Sequence, residues 1–155
     1  MSKPIDKLEF WKERIDTAAK DYFTVYVTSE GDWHRINQAH VEHFEKMTGK
    51  VLDAGCGYGR NSIYFSDYTG VDFSPDFIKM AKEKFPNKEF LVANIKELPF
   101  KDKEFDWAFC VSIKVMVENN LGEEEWQKME KELLRVAKNV MLLEYEDPEP
   151  VTILR

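Results

Sequence analysis

The residues best suited to chemistry in this sequence lie at 51–60, which read Val-Leu-Asp-Ala-Gly-Cys-Gly-Tyr-Gly-Arg. A short apolar run contains Asp53 and leads into glycine at every second position from Gly55 to Gly59. Glycines at this spacing let the backbone turn tightly and approach a ligand without an intervening Cβ. A loop between a strand and a helix also directs backbone N–H groups at a bound ligand. The segment therefore predicts a nucleotide-type binding loop, although Arg60 replaces the third glycine of the dinucleotide fingerprint.

A second acidic residue, Asp72, stands about 20 residues after Asp53, the distance at which nucleotide folds place a ribose ligand. It ends the predicted strand Tyr68–Asp72. A carboxylate at this place can accept hydrogen bonds from two ribose hydroxyls and discriminates against a phosphorylated ribose. Ser74 and Pro75 follow as the predicted N-cap and first residue of a helix. Asp72 is therefore predicted to bind ribose.

The elements that would position these acids alternate between strand and helix. Helices are predicted after the glycine loop, after Ser74 and from Glu123, and only a turn connects the third strand to the fourth. This alternation predicts an α/β fold with a doubly wound, mainly parallel sheet. The five predicted strands begin at Val51 and continue with Tyr68–Asp72, Lys88–Ala93, Phe105–Val111 and Val140–Tyr145.

Two amphipathic helices are predicted before the sheet, the second capped by Asp32 and closed by Gly49. We therefore expect one domain over residues 1–155, with residues 1–48 as a helical flank or lid and residues 50–146 as the α/β core. His40 and His43 lie three residues apart on the second helix. The pair could ligate a metal, but without a third ligand nearby a partly exposed helical pair is favoured.

The net charge and the amino-acid composition disfavour several classes of binding partner. The 155 residues carry a formal net charge of −7, which disfavours nucleic acid and leaves small molecules or basic partners. Two cysteines suggest neither a disulfide framework nor a zinc site, and no apolar run reaches the ~20 residues of a membrane span. We expect a soluble, cytoplasmic protein with no metal and no membrane partner.

Four stretches together resemble the class I S-adenosylmethionine (SAM)-dependent methyltransferases: Val51–Arg60, Gly70–Ala81, Leu91–Phe105 and Phe105–Ser112. The segment Leu98-Pro99-Phe100 followed by Phe105-Asp106 is similar to the "LPF…FD" segment of the small-molecule enzymes of this superfamily. The resemblance implies a Rossmann-like methyltransferase core. It also implies SAM as cofactor, S-adenosylhomocysteine as product and methyl transfer to a small-molecule acceptor.

The resemblance also implies a set of cofactor ligands. Those at the methionine end of SAM would be Asp53, Gly55, Cys56, Gly57 and Gly59. Asp72 would bind the ribose, Phe73 and Ile95 would flank the adenine, and Asn94 would meet the adenine amino group through its carbonyl oxygen. The residues near the reacting methyl would be Cys110, Val111 and Ser112. Two alternatives stay open, since Asp53 could merely support the loop and Cys110 could be a small buried core residue.

The acceptor pocket is less defined by the sequence. Methyl transfer from a sulfonium needs alignment and exclusion of water more than a nucleophilic side chain. Aromatic rings with carboxylates would suit a cationic amine, although Tyr22 and Trp33 could simply pack the flanking helices. His34 could act as a general base if the acceptor must lose a proton. The acceptor-side candidates are Tyr22, Tyr26, Trp33, His34, Glu144 and Glu146.

Two departures from the family pattern leave other functions open. The usual turn before the fifth strand is reduced to Lys138-Asn139, and the C-terminal hairpin is truncated, with Val151–Leu154 supplying at most one edge strand. We expect a homodimer or another chain to cover the sheet edge that remains. The alternatives are a non-catalytic SAM-binding subunit of a larger complex and a methyltransferase acting on a protein.

Overall fold

The strands follow one another in the order that the sequence predicts, with one helix among them that the sequence did not predict. The computed structural model describes residues 40–144 and, for the backbone alone, residues 151–154. The strands are β1 (Val51–Ala54), β2 (Tyr68–Asp72), β3 (Glu89–Val92), β4 (Phe105–Val111), β5 (Ala137–Leu143) and β6 (Val151–Leu154). The helices are a short 3₁₀ helix (Arg60–Tyr64), α1 (Pro75–Lys84), α2 (Ile113–Leu121) and α3 (Glu123–Val136). Residues 40–44 are also helical.

The strands form one sheet in the order β3-β2-β1-β4-β5-β6. The first five are parallel, whereas β6 runs antiparallel to β5. The predicted doubly wound, mainly parallel sheet is therefore confirmed. The order reverses between β1 and β4, and ligands of such sheets bind outside the carboxyl ends of the strands at this switch point.

Apolar side chains project from both faces of the sheet, as expected for parallel strands covered by helices. One face packs against α3 through Trp126, Leu133 and Val136, which lie on one stripe of that helix. On the other face, Phe109 of β4 packs against Phe44 of the helical residues 40–44, with their ring centroids 5.1 Å apart. Helical layers on both faces hold the carboxyl ends of the central strands in fixed register.

Two local predictions about these elements were wrong, and one helix was missed. The strand β5 begins at Ala137 directly after α3, so Lys138 and Asn139 lie within the strand and not in a turn. The helix α2 was not predicted. The second N-terminal helix ends at residue 44, before Gly49.

Other predictions are confirmed or lie beyond the described residues. The bounds of β2 and β4 agree with the sequence, and Val151–Leu154 forms the expected edge strand. The first N-terminal helix and the Asp32 cap lie outside the described residues. Within residues 40–144 and 151–154, no helix has the length and apolar character to cross a membrane.

Candidate functional site

The glycine loop follows the carboxyl end of β1 and has left-handed backbone at three positions. The φ angles of Gly55, Gly57 and Gly59 are 83°, 56° and 85°, a region that side-chain-bearing residues rarely adopt. A Cβ on Gly55 would also lie 2.5 Å from the Cδ1 atom of Ile113. The backbone conformation therefore favours glycine at this position, and a side chain there would also displace the end of Ile113.

The Asp72 carboxylate ties this loop to the next strand. Its Oδ2 accepts a hydrogen bond from the Gly57 N–H at 3.0 Å, and its Oδ1 accepts one from the Ser74 N–H at 2.9 Å. Burial raises the pKa of Asp72, while hydrogen bonds from the backbone of Ser74, Gly57 and Phe73 act in the opposite direction. A carboxylate offers about four lone-pair sites, so Asp72 can still accept a hydroxyl from a ligand.

Asp53 is the second buried carboxyl group of the site, only 1% exposed. Its Oδ2 accepts a hydrogen bond from the Tyr68 hydroxyl at 2.7 Å. Burial raises the pKa of Asp53 to about 7, although the Tyr68 hydrogen bond and the Arg60 charge lower it. Near neutral pH this residue can therefore carry or lose a proton in response to its surroundings.

The residues predicted to contact adenine lie beside Asp72 at the same edge of the sheet. Phe73 is 44% exposed directly after β2, and Asn94 and Ile95 follow β3, the strand paired with β2. Asn94 is exposed, and its Oδ1 accepts a hydrogen bond from the Lys96 N–H at 2.9 Å. One lone pair of the predicted acceptor oxygen is therefore already used within the turn.

The end of β4 contributes residues of two kinds. Cys110 lies in the apolar core with its thiol pKa raised by burial, so the structure places it as a packing residue. Val111 and Ser112 are half-buried. Ser112 has φ 55° and ψ 27°, a left-handed conformation, and its N–H donates to the Leu143 carbonyl at 2.7 Å. Such strain in a non-glycine residue is typical of functional sites.

The helical residues before β1 bring one histidine to the same edge. The prediction of a partly exposed pair is wrong for His40, which is buried and lies with Nε2 3.4 Å from the Glu144 carbonyl oxygen. Burial lowers the pKa of His40 to about 4, so it is neutral at physiological pH. No sequence signal pointed to this contact, because its partners are 104 residues apart.

His43, the other member of the pair, is half-buried, and its Nδ1 has no hydrogen-bond partner among the described residues. Within this part of the chain, no three or more His, Cys, Asp or Glu side chains form a group that could hold a metal. The remaining acceptor-side candidates, Tyr22, Tyr26, Trp33, His34 and Glu146, lie outside the described residues.

Comparison with known proteins assigns the family. The family described as "Methyltransferase domain" matches residues 51–139. An uncharacterized protein of Methanocaldococcus jannaschii is 39% identical over 98 residues, which cover 63% of this chain and 38% of that protein. The malonyl-[acyl-carrier protein] O-methyltransferase of Pseudescherichia vulneris is 34% identical over 83 residues, or 51% of this chain and 33% of that enzyme.

Solved structures agree with this assignment. The PH0226 protein from Pyrococcus horikoshii matches with a TM-score of 0.64 and 31% identity, covering 76% of this chain and 59% of that one. A SAM-dependent methyltransferase from Methanosarcina mazei matches with a TM-score of 0.57 and 25% identity, over 66% and 55% of the two chains. The chain therefore belongs to the class I SAM-dependent methyltransferase family. It spans between a third and three fifths of the length of these relatives.

Proposed function

We propose that this chain binds SAM across the carboxyl ends of β1 and β2 and transfers its methyl group to a small-molecule acceptor. The observation that carries the proposal is the pair of buried carboxyl groups, Asp53 and Asp72, at the ends of adjacent strands on either side of the glycine loop. Their chemistry fits the ligand, since carboxylates suit both an ammonium group and a ribose diol.

At the ribose, Asp72 would accept both hydroxyls. The N–H groups of Gly57 and Ser74 hold its two oxygens in place before the ligand arrives. Phe73 and Ile95 would flank the adenine ring. Asn94 would contact the adenine amino group through the lone pair that Lys96 leaves available.

At the methionine end, Asp53 would face the ammonium group, and the loop residues Gly55, Cys56, Gly57 and Gly59 would surround the carboxylate. The N–H groups of Gly55 and Cys56 both donate to the Val71 carbonyl, at 2.8 Å and 2.9 Å. These two hydrogen bonds fix the course of the loop beside Asp53. They therefore favour a binding surface that is ordered before the ligand arrives.

Bound SAM supplies an electrophilic methyl group that is already activated by its sulfonium. The chain then has to align an acceptor and exclude water. Val111 and Ser112 at the end of β4, with Glu144 after β5, would line the acceptor side, while Cys110 would support them from the core. We further propose that the helical flank of residues 1–48 lies over this side, with Tyr22, Tyr26 and Trp33 at an amine acceptor and His34 as its general base.

The names of the relatives support a small acceptor. One, 31% identical over 128 residues, is a demethylmenaquinone methyltransferase of Renibacterium salmoninarum. Another is named for a malonyl group carried on an acyl-carrier protein, so there the acceptor is a small acyl group attached to a protein. We also propose that the protein acts in the cytoplasm.

We also propose that a second copy of the chain, or another chain, lies along the outer edge of β6. This strand pairs with β5 on one side, and within the described residues no strand pairs with its other side. Sedimentation velocity at micromolar protein tests this idea. A dimer supports it, and a monomer in isolation and in cell extract contradicts it.

Calorimetric titration with SAM, S-adenosylhomocysteine and NAD tests the cofactor. We expect micromolar binding of the two adenosyl ligands and none of NAD. Asp72→Ala should abolish that binding, whereas Asp76→Ala, an exposed acid in the first turn of α1, should not. If the wild-type chain binds neither adenosyl ligand, the proposal fails.

Release of S-adenosylhomocysteine in the presence of candidate acceptors tests the reaction, with amines and carboxylic acids tried first. Turnover with a small acceptor supports the proposal. Binding of SAM without turnover, restored only by a second protein, would favour the non-catalytic subunit. Turnover only with a basic protein as acceptor would favour the protein methyltransferase.

A further inference from the structure

The hydrogen bond between Tyr68 and Asp53 joins two side chains that the sheet almost completely hides from water. Tyr68 is 4% exposed and pairs in register with Val51, the first residue of β1. Its side chain therefore extends along the sheet to reach Asp53, two residues further on, where the hydroxyl lies 2.7 Å from Oδ2. The glycine loop is adjacent, since a Cβ on Gly70 would lie 2.8 Å from the Tyr68 hydroxyl oxygen and 3.0 Å from the Cβ atom of Cys56.

The neighbouring residues provide space for this arrangement. A Cβ on Gly70 would lie 2.8 Å from the Tyr68 hydroxyl oxygen and 2.9 Å from the Phe90 ring, so a side chain at 70 would displace the hydroxyl. The Tyr68 ring stacks on Phe65 with centroids 6.1 Å apart and meets the edge of Phe90 at 5.8 Å. Three residues therefore fix the direction of the hydroxyl.

Stability alone does not account for a buried phenol and carboxyl pair. Burying a carboxyl group costs free energy, which one hydrogen bond offsets only in part. Phenylalanine at 68 with an apolar residue at 53 would fill similar volume without that cost. A pair that is unfavourable for the fold and lies against a ligand loop is therefore expected to act on the ligand.

We infer that Tyr68 is a positioning residue for the methionine end of SAM, because its hydroxyl orients the Asp53 carboxylate and favours its ionised form opposite the ligand's ammonium group. This inference rests on the proposed function. It assigns to the amino end of β2 a role in cofactor binding, although Asp72 at the carboxyl end of the same strand is the residue predicted to touch the cofactor.

The groups around Asp53 define the expected pH dependence. Arg60 from the 3₁₀ helix lowers the pKa of Asp53, and Asp72 on β2 raises it. The thiols of Cys56 and Cys110 stay neutral because burial raises their pKa values. Removing the Tyr68 hydroxyl removes a hydrogen bond that lowers the pKa of Asp53, while burial continues to raise it. The pKa of Asp53 therefore rises above about 7. Ionised Asp53, and with it tight SAM binding, would then need a higher pH.

The test is SAM affinity measured by calorimetry between about pH 6 and pH 9. In Tyr68→Phe we expect affinity about tenfold weaker at pH 7 and recovered in part at pH 9, from the loss of one hydrogen bond to a charged group. The ligand's own ammonium group titrates equally with every variant. Tyr64→Phe is the matched control on the neighbouring 3₁₀ helix and should keep the wild-type profile.

Two further measurements separate positioning from a merely structural role. In an Asp53→Asn background, Tyr68→Phe should cause no further shift in the pH profile. Independently of SAM, carbon-13 NMR of the carboxyl groups should show Asp53 titrating at higher pH in Tyr68→Phe. A lower melting temperature with an unchanged pH profile and unchanged Asp53 titration would overturn the inference. If the wild-type chain does not bind SAM at all, the proposed function itself falls.

Discussion

The Asp72 carboxylate accepts a hydrogen bond from the backbone N–H of Gly57 at 3.0 Å. The residue proposed to bind ribose thus also holds the loop proposed to surround the methionine end. A ligand that contacts Asp72 would therefore meet a loop already fixed in place, without an entropic cost of ordering it on binding.

Replacing Asp72 by Asn removes one acceptor oxygen but keeps the shape of the side chain. Either the Gly57 N–H or the Ser74 N–H then faces an amide NH₂ group and loses its partner. We expect amide hydrogen exchange of that N–H to be about tenfold faster, the effect of one lost hydrogen bond. NMR-detected exchange measures it, with Asp76→Asn as control, and unchanged protection at both positions would contradict the assigned contacts.

Asp53→Asn should make the free energy of unfolding less dependent on pH. The pKa of Asp53 is about 7 in the folded chain and near 3.8 in the unfolded chain, so the folded state binds more protons between these values. Its contribution to stability therefore falls as pH rises from 4 to 7, by no more than about 4 kcal/mol. Urea denaturation at pH 5 and pH 8 should show the variant gaining stability over wild type at the higher pH.

Asp106→Asn is the control, because the contribution of Asp106 to stability should change with pH in the opposite direction to that of Asp53. Lys138 and the Lys50 N–H lower the pKa of Asp106, so its contribution to stability is present at neutral pH and lost as pH falls. This variant should be destabilised more at pH 8 than near pH 3. The same direction for both variants would show that the assigned environments are wrong.

Arg135 on α3 holds the segment between β3 and β4. Its guanidinium donates to the carbonyls of Leu98 and Phe100 at 3.0 Å and 2.8 Å, and Glu132 beside it accepts the Leu98 N–H. Arg135→Met should lower the free energy of unfolding by about 1–3 kcal/mol, because two carbonyls lose a charged donor. Urea denaturation measures the loss, and Lys131→Met, exposed on the same helix, should cost little.

The left-handed backbone of Ser112 predicts a difference between two small replacements. Ser112→Ala keeps the Cβ in the strained conformation, whereas Ser112→Gly removes it. We expect the glycine variant to be more stable than the alanine variant by about 1 kcal/mol. Urea denaturation of both variants measures this difference. If alanine is as stable as glycine, the backbone at 112 is not left-handed.

The sequence predicted most of the sheet but not every connection. The strands β2 and β4 were predicted with their correct bounds. The strand β4 is apolar almost throughout, whereas β2 is delimited by the acid at its end and by the Ser74-Pro75 helix start that follows. The helix α2 escaped detection because only Val117 in it is fully buried and no side chain caps its N-terminus. The early start of β5 was missed because α3 continues into it without a turn residue.

In the candidate site too, some features were predicted from the sequence and others were not. Asp72 and the glycine loop were predicted from local spacing and lie together in the structure, joined through Gly57. Neither the Tyr68–Asp53 hydrogen bond nor the burial of His40 could be predicted. Each depends on how side chains from separate elements pack, and hydrophobic periodicity carries no information about that.

The parallel order of the sheet has a consequence for synthesis on the ribosome. The strand β1 pairs with β2, the next strand along the chain, and with β4, whose Trp107 lies opposite Val51. The β1–β2 pair, with Asp53, Tyr68 and Asp72, therefore leaves the exit tunnel well before β4 can cover its other edge. Until then one edge of β1 stays unpaired, so a chaperone that shields nascent chains would be needed most after β2 has left the tunnel and before β4 has left it.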